Sequence, residues 1–150
     1  MFFKKSILFF VLLLTIVQYK ANAQTPIGGF NNSGRPGNFS QKGKDYKVAE
    51  DVRTFIENAI AAQKPIGYIC ISPLIIPHLY PKGTKMTIGN DPELAEMVTN
   101  LGAEHINCQV DDIVVDERAS IVSTPAYMLG KEINDVAVGI TKLVQKLLTF

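Results

Sequence analysis

Apolar side chains at Val48, Val52, Phe55, Ile56, Ala59 and Ile60 recur at three- and four-residue steps. That spacing lines one face of a helix running to about Gln63, where Pro65 stops it. The next apolar run, residues 66–71, is too short for a helix and shows no alternation, the pattern of a parallel strand covered on both faces. Helical character returns through Leu74, Ile75 and Leu79, and residues 85–88 form a weak second strand. Asn90 or Asp91 then caps a helix that has Pro92 in its first turn, Glu93 near its positive end and Gly102 at its close. Residues 104–108 suit another strand. "DDIVVDE" (residues 111–117) and "SIVSTP" (residues 120–125) read as a hairpin joined by a charged turn. From Tyr127 to Phe150 the positions Ile133, Val136, Ala137, Ile140, Leu143, Val144 and Leu147 mark a long amphipathic helix.

Helices and strands thus alternate, which predicts an α/β fold with a largely parallel sheet. The chain upstream has a different texture. Residues 26–44 hold Gly28, Gly29, Gly34, Pro36, Gly37 and Gly43 among short polar residues, a loop composition. Before it, Lys4 and Lys5 precede an apolar run from Ile7 to Val17 and the small-x-small triplet Ala21-Asn22-Ala23, the layout of a secretory signal peptide. That run is well short of the roughly 20 apolar residues a spanning helix needs. The expected organisation is a signal peptide over 1–23, a loop-rich segment over 24–47 and an α/β domain over 48–150. The expected location is secreted or periplasmic, without stable membrane association.

Charge adds little. A net +1 over 150 residues supplies no basic field for nucleic acid. Two cysteines, Cys70 and Cys108, are too few for a disulfide scaffold, though in an oxidising compartment they could pair.

Cys70 is the residue with chemistry in it. In "KPIGYICISP" (residues 64–73) it sits where the buried strand gives way to a helix, the edge at which ligands gather in open α/β sheets. A residue on such a turn is held in a sharp backbone, with free N–H groups of the next turn aimed at any oxyanion formed there, and a helix N-terminus favours thiolate. The plain alternative is an inert buried cysteine. His78 and His105 read as surface or cap histidines, not placed to approach the thiol. Asp111 and Asp112, adjacent in a strand pattern, face opposite sides and make no acid/base couple. Arg35, flanked by glycine and proline, reads as a solvated turn.

Several stretches carry a family likeness: "GGF" (28–30), "KGKDYKV" (42–48), "KPIGYICISP", "TIGND" (87–91), "LGAEH" (101–105), "VDDIVVDE" (110–117) and "IVSTPAYMLG" (121–130). Through them the chain resembles the ElbB-type glyoxalase branch of the ThiJ/PfpI class-I glutamine amidotransferase-like superfamily. The resemblance implies a flavodoxin-like sandwich in which Cys70 adds to a carbonyl carbon of a small dicarbonyl. The oxyanion would be held by the backbone N–H groups of Ile71 and of Gly28 or Gly29. A base then moves a proton and hydrolysis releases a 2-hydroxy acid, with no cofactor and no metal. In the family about half of the sheet, with the acidic residue that shares the cysteine's proton, precedes "GGF"; here the signal-like segment stands there. The expectation is therefore a domain lacking its N-terminal half, with three readings open: an ElbB-like enzyme on a small carbonyl substrate, a non-catalytic interaction module, or a remnant without a stable fold. A bare edge beside the Cys70 strand would invite a homo-oligomer or a complementing chain.

Overall fold

The computed structural model describes residues 45–150. The expected signal segment 1–23, Gly28, Gly29 and Arg35 lie outside the described residues. The elements in order are α1 (Glu50–Ala61), β1 (Ile66–Ile69), a 3-10 turn (Ser72–Ile75) leading into α2 (Ile76–Leu79), β2 (Lys85–Met86), α3 (Pro92–Asn100), β3 (Glu104–His105), β4 (Val114–Asp116), β5 (Ile121–Thr124), a second 3-10 turn (Ala126–Met128) and α4 (Ile133–Leu147).

The centre is a three-stranded sheet in the order β1-β5-β4. β1 and β5 run parallel, with Ile66 opposite Ile121 and Ile69 opposite Thr124; β4 and β5 form the expected antiparallel hairpin, with Asp116 opposite Ile121. β2 and β3 pair in parallel as a separate two-stranded sheet. All four residues of β1 and of β5 are buried. Successive strand residues point to opposite faces, and so feed two cores. Tyr68 and Ile121 pack with Ile56, Ile76, Met86 and Val98 from one side, while Ile69 and Val122 pack with Val136, Leu143 and Leu147 of α4 on the other. Helices therefore cover both faces, as the unbroken apolar run of β1 predicts. Gly67 lets α4 lie close, since a Cβ there would come within 2.8 Å of both Leu143 and Leu147.

Two helices end in the same device. After α3, Gly102 (φ +107) turns the chain while its N–H donates to the Thr99 carbonyl and that of Ala103 to the Val98 carbonyl, the paired bonds of a Schellman motif. After α1, Gln63 (φ +52) does the same, its N–H donating to Ile60 and that of Lys64 to Ala59. The helix thus closes before Pro65 is reached. At the start of α3 the cap is Asp91, whose carboxylate accepts from the Leu94 N–H at 2.9 Å.

The sheets are joined by polar contacts that strand pattern does not reveal. The buried carboxylate of Asp116 accepts from Lys85 N at 2.9 Å across to β2, and from Arg118 N and Ala119 N within its own turn. Ser123 Oγ, also buried, accepts from Thr87 N at 3.0 Å. Asp111 and Asp112 prove to lie before β4, exposed in a turn, and Asp112 meets Lys142 of α4 at 3.6 Å. The expectation that they alternate across a strand is corrected: the strand starts only at Val114.

Candidate functional site

Cys70 follows the last residue of β1 with φ +63, in the left-handed region. For a side chain with a Cβ this costs on the order of 1–2 kcal/mol, so neighbouring contacts must hold it. Its N–H donates to the Thr124 carbonyl at 3.0 Å, continuing the β1–β5 ladder into the turn. Ser72 supplies the other constraint: its hydroxyl accepts from Ile69 N at 2.7 Å and donates to Ile69 O at 2.8 Å. In the β1–β5 ladder Ile66 and Cys70 donate toward β5. Alternate residues face alternate sides, so the polar groups of Ile69 point away from β5, and Ser72 satisfies both.

A second turn faces this one. β5 ends at Thr124, beside the end of β1 in the parallel register, and Ala126 takes φ +46 after Pro125. The two neighbouring strands thus finish in left-handed turns on non-glycine residues. Together they surround the half-buried Cys70 sulfur with the backbone N–H groups of Ile71, Tyr127 and Met128. Such donors favour thiolate over thiol, and an oxyanion formed beside it. Burial acts in the other direction and is the larger influence, so the thiol is pushed above its ordinary value despite the amides. The expectation of a thiol biased toward thiolate is corrected on that ground. Of the residues expected as oxyanion donors, Ile71 has its N–H beside the sulfur, while Gly28 and Gly29 lie outside the described residues. The N–H groups of Tyr127 and Met128, which come from the "STPAYML" turn after a second buried strand, were not among the expected neighbours.

The histidines are engaged elsewhere. His105 Nε2 accepts from Ile88 N at 3.3 Å. His78 packs edge-on to the Tyr46 ring with centroids 4.6 Å apart, and its Nε2 is buried without a hydrogen-bond partner among the described residues. Burial holds both imidazoles below their ordinary value, with Arg53 adding to the effect at His78. Cys70 and Cys108 are both free. Cys108 is buried, its S–H donating to the Gln109 carbonyl, and burial with the nearby Asp112 and Asp111 charges pushes it up to about 11. Among the described residues no three His, Cys, Asp or Glu side chains are grouped to hold a metal ion.

A largely parallel sheet covered by helices on both faces is the fold of a solved amidotransferase-like domain. The isoprenoid biosynthesis protein with amidotransferase-like domain from Ehrlichia chaffeensis superposes with a TM-score of 0.65, covering 77% of this chain and 53% of that one at 24% identity. No protein-family model matches the chain. Among curated proteins, the ES1 protein homolog, mitochondrial, of Rattus norvegicus is 34% identical over 130 residues, 81% of this chain and 48% of the relative. The glutamine amidotransferase-like class 1 domain-containing protein 3, mitochondrial, of Homo sapiens is 32% identical over the same extent. The chain is thus related to the class-I glutamine amidotransferase-like proteins and shares their flavodoxin-like fold. It spans about half the length of the curated relatives it matches.

The expected secreted or periplasmic location is corrected by the same comparison. These relatives, and a further one in Danio rerio, are mitochondrial proteins. A short lysine-led apolar stretch is a compositional signal, and an alignment of 130 residues outweighs it.

Proposed function

We propose that the chain performs cofactor-independent, glyoxalase-like chemistry on small dicarbonyls, with Cys70 as nucleophile, as its resemblance to the ElbB branch implies. The observation that carries this reading is the left-handed Cys70 turn with the N–H groups of Ile71, Tyr127 and Met128 around its sulfur. The thiolate adds to the aldehyde carbon of a 2-oxoaldehyde, and the carbonyl oxygen takes the negative charge between those amides. A base shifts the proton from the former aldehyde carbon to the neighbouring carbon, giving a thioester. Water releases the 2-hydroxy acid and restores the thiol. Both histidines of the chain have other engagements, so neither is assigned as the base.

A second reading, a non-catalytic domain, is favoured by the burial of Cys70, which raises its pKa and so disfavours the nucleophilic thiolate. Methylglyoxal turnover and iodoacetamide alkylation from pH 6 to 10 separate the two. The enzyme reading expects turnover that rises with pH, following Cys70 alkylation past the ordinary thiol value of about 8.5, and that is lost in Cys70→Ser. No turnover in either protein leaves the non-catalytic reading, and equal turnover in wild type and Cys70→Ser removes Cys70 as the nucleophile.

A further inference from the structure

We infer that Ser72 is a positioning residue for Cys70, its hydroxyl holding the peptide that precedes the thiol so that the sulfur stays among the amides of Ile71, Tyr127 and Met128. The inference rests on the reading of Cys70 as a nucleophile. Its geometry concerns a single peptide unit. The Ile69 carbonyl accepts from Ser72 Oγ at 2.8 Å, and the N–H of the same unit, that of Cys70, donates to the Thr124 carbonyl at 3.0 Å. A hydrogen bond at each end of one peptide plane fixes its rotation. That rotation sets ψ of Ile69 and φ of Cys70 together, so a flip toward an ordinary φ would break both bonds at once. The third bond, from Ile69 N to Ser72 Oγ at 2.7 Å, fixes the hydroxyl itself.

Capping the turn that follows is not the role of this serine, as the direction of its hydroxyl shows. The 3-10 turn that opens at Ser72 has Ile71 at its N-cap and no side-chain cap. The hydroxyl is turned back onto β1 instead, and Ser72 is 2% exposed, so water does not compete for it. Cys70, by contrast, is only half-buried. Without the hydroxyl the turn relaxes, the sulfur leaves the amides and becomes more accessible, and the thiol moves toward its free value.

The test is the pH profile of Cys70 alkylation by iodoacetamide in wild type, Ser72→Ala and Ser72→Thr, with thermal unfolding followed in parallel. Ser72→Ala is expected to shift the profile at least half a unit toward a free thiol, about threefold faster reaction below the midpoint, while losing methylglyoxal turnover. Ser72→Thr, which keeps a hydroxyl, is expected to restore the wild-type profile. A lowered melting temperature with the wild-type profile in Ser72→Ala overturns the inference, because a merely structural serine changes the first and not the second. Should neither variant fold, amide hydrogen exchange on the wild-type chain decides: Ile69 N–H exchanging as fast as an exposed amide overturns it, and slow exchange supports it. Alkylation does not depend on turnover, so a shifted profile without any turnover removes the dicarbonyl reading and leaves Ser72 in its place.

Discussion

Asp116 spends its charge inside the fold. Burial alone would push its carboxyl up, but the N–H groups of Lys85, Ala119 and Arg118, with the Arg118 charge at 3.8 Å, outweigh it and hold the group below the usual carboxylate range. Truncation leaves the N–H groups of Lys85, Arg118 and Ala119 without their acceptor; a fully buried orphan donor costs about 1–3 kcal/mol, and these part-buried ones cost less because water reaches them. Asp116→Ala is therefore expected to destabilise by about 2–4 kcal/mol in urea unfolding, whereas Asp112→Ala, whose carboxylate is exposed beside Lys142, should lie within about 0.5 kcal/mol of wild type. Equal losses in the two variants would refute this account. In the sequence the acids of "VDDIVVDE" look alike. Asp116 stands out only through Lys85, 31 residues away, and that separation hides it from any local pattern. Cys70 was legible because its signal is local, a strand ending at a turn. The direction of its titration was not, since burial by α4 and by the second turn is a tertiary fact.

At the level of elements, the two Schellman ends form a natural comparison. α3 uses Gly102 in the left-handed position and α1 uses Gln63, exposed, at φ +52. The backbone bonds are the same in both, so the side chain at Gln63 brings only steric cost. Gln63→Gly is expected to raise stability by about 0.5–1 kcal/mol, read as a higher melting temperature; a fall would show that the side chain contributes contacts that outweigh the strain. Helix spacing in the sequence found α1, α3 and most of α4, and the hairpin of β4 and β5 was readable from its charged turn. Two boundaries moved for physical reasons. Gln63 rather than Pro65 ends α1, and α4 begins at Ile133 instead of Tyr127 because Ala126, at φ +46, starts a separate 3-10 turn. β2 and β3 shrink to two residues each, while the N–H groups of Lys85 and Thr87, on the edge of β2 away from β3, are taken by Asp116 and Ser123.

For the molecule as a whole, acid acts through its two histidines before it reaches the carboxylates. Both are held below the ordinary value of about 6.5 by burial, so the unfolded chain binds protons that the folded one refuses. The stability they carry is complete above pH 6.5 and is lost as pH falls from there toward their lowered folded values. His105 Nε2 also needs to be neutral to accept from Ile88 N. The urea midpoint is expected to drop between pH 7.5 and 5.5, and to drop further as Asp116 is protonated below the usual carboxylate range; a flat profile over the first interval would exclude the histidines. The expected bare edge at β1 looks different once the fold is in view. Ile66 and Ile69 are each 3% exposed, so a charge placed on either would break the core and report nothing about pairing. The Ser72 hydroxyl sets a limit on that margin. It occupies the outward N–H and C=O of Ile69, so a strand laid along β1 on that side finds no backbone partners at its last residue and must end short of Cys70. The hydroxyl is thus a stop on how far the sheet can grow, set one residue before the cysteine.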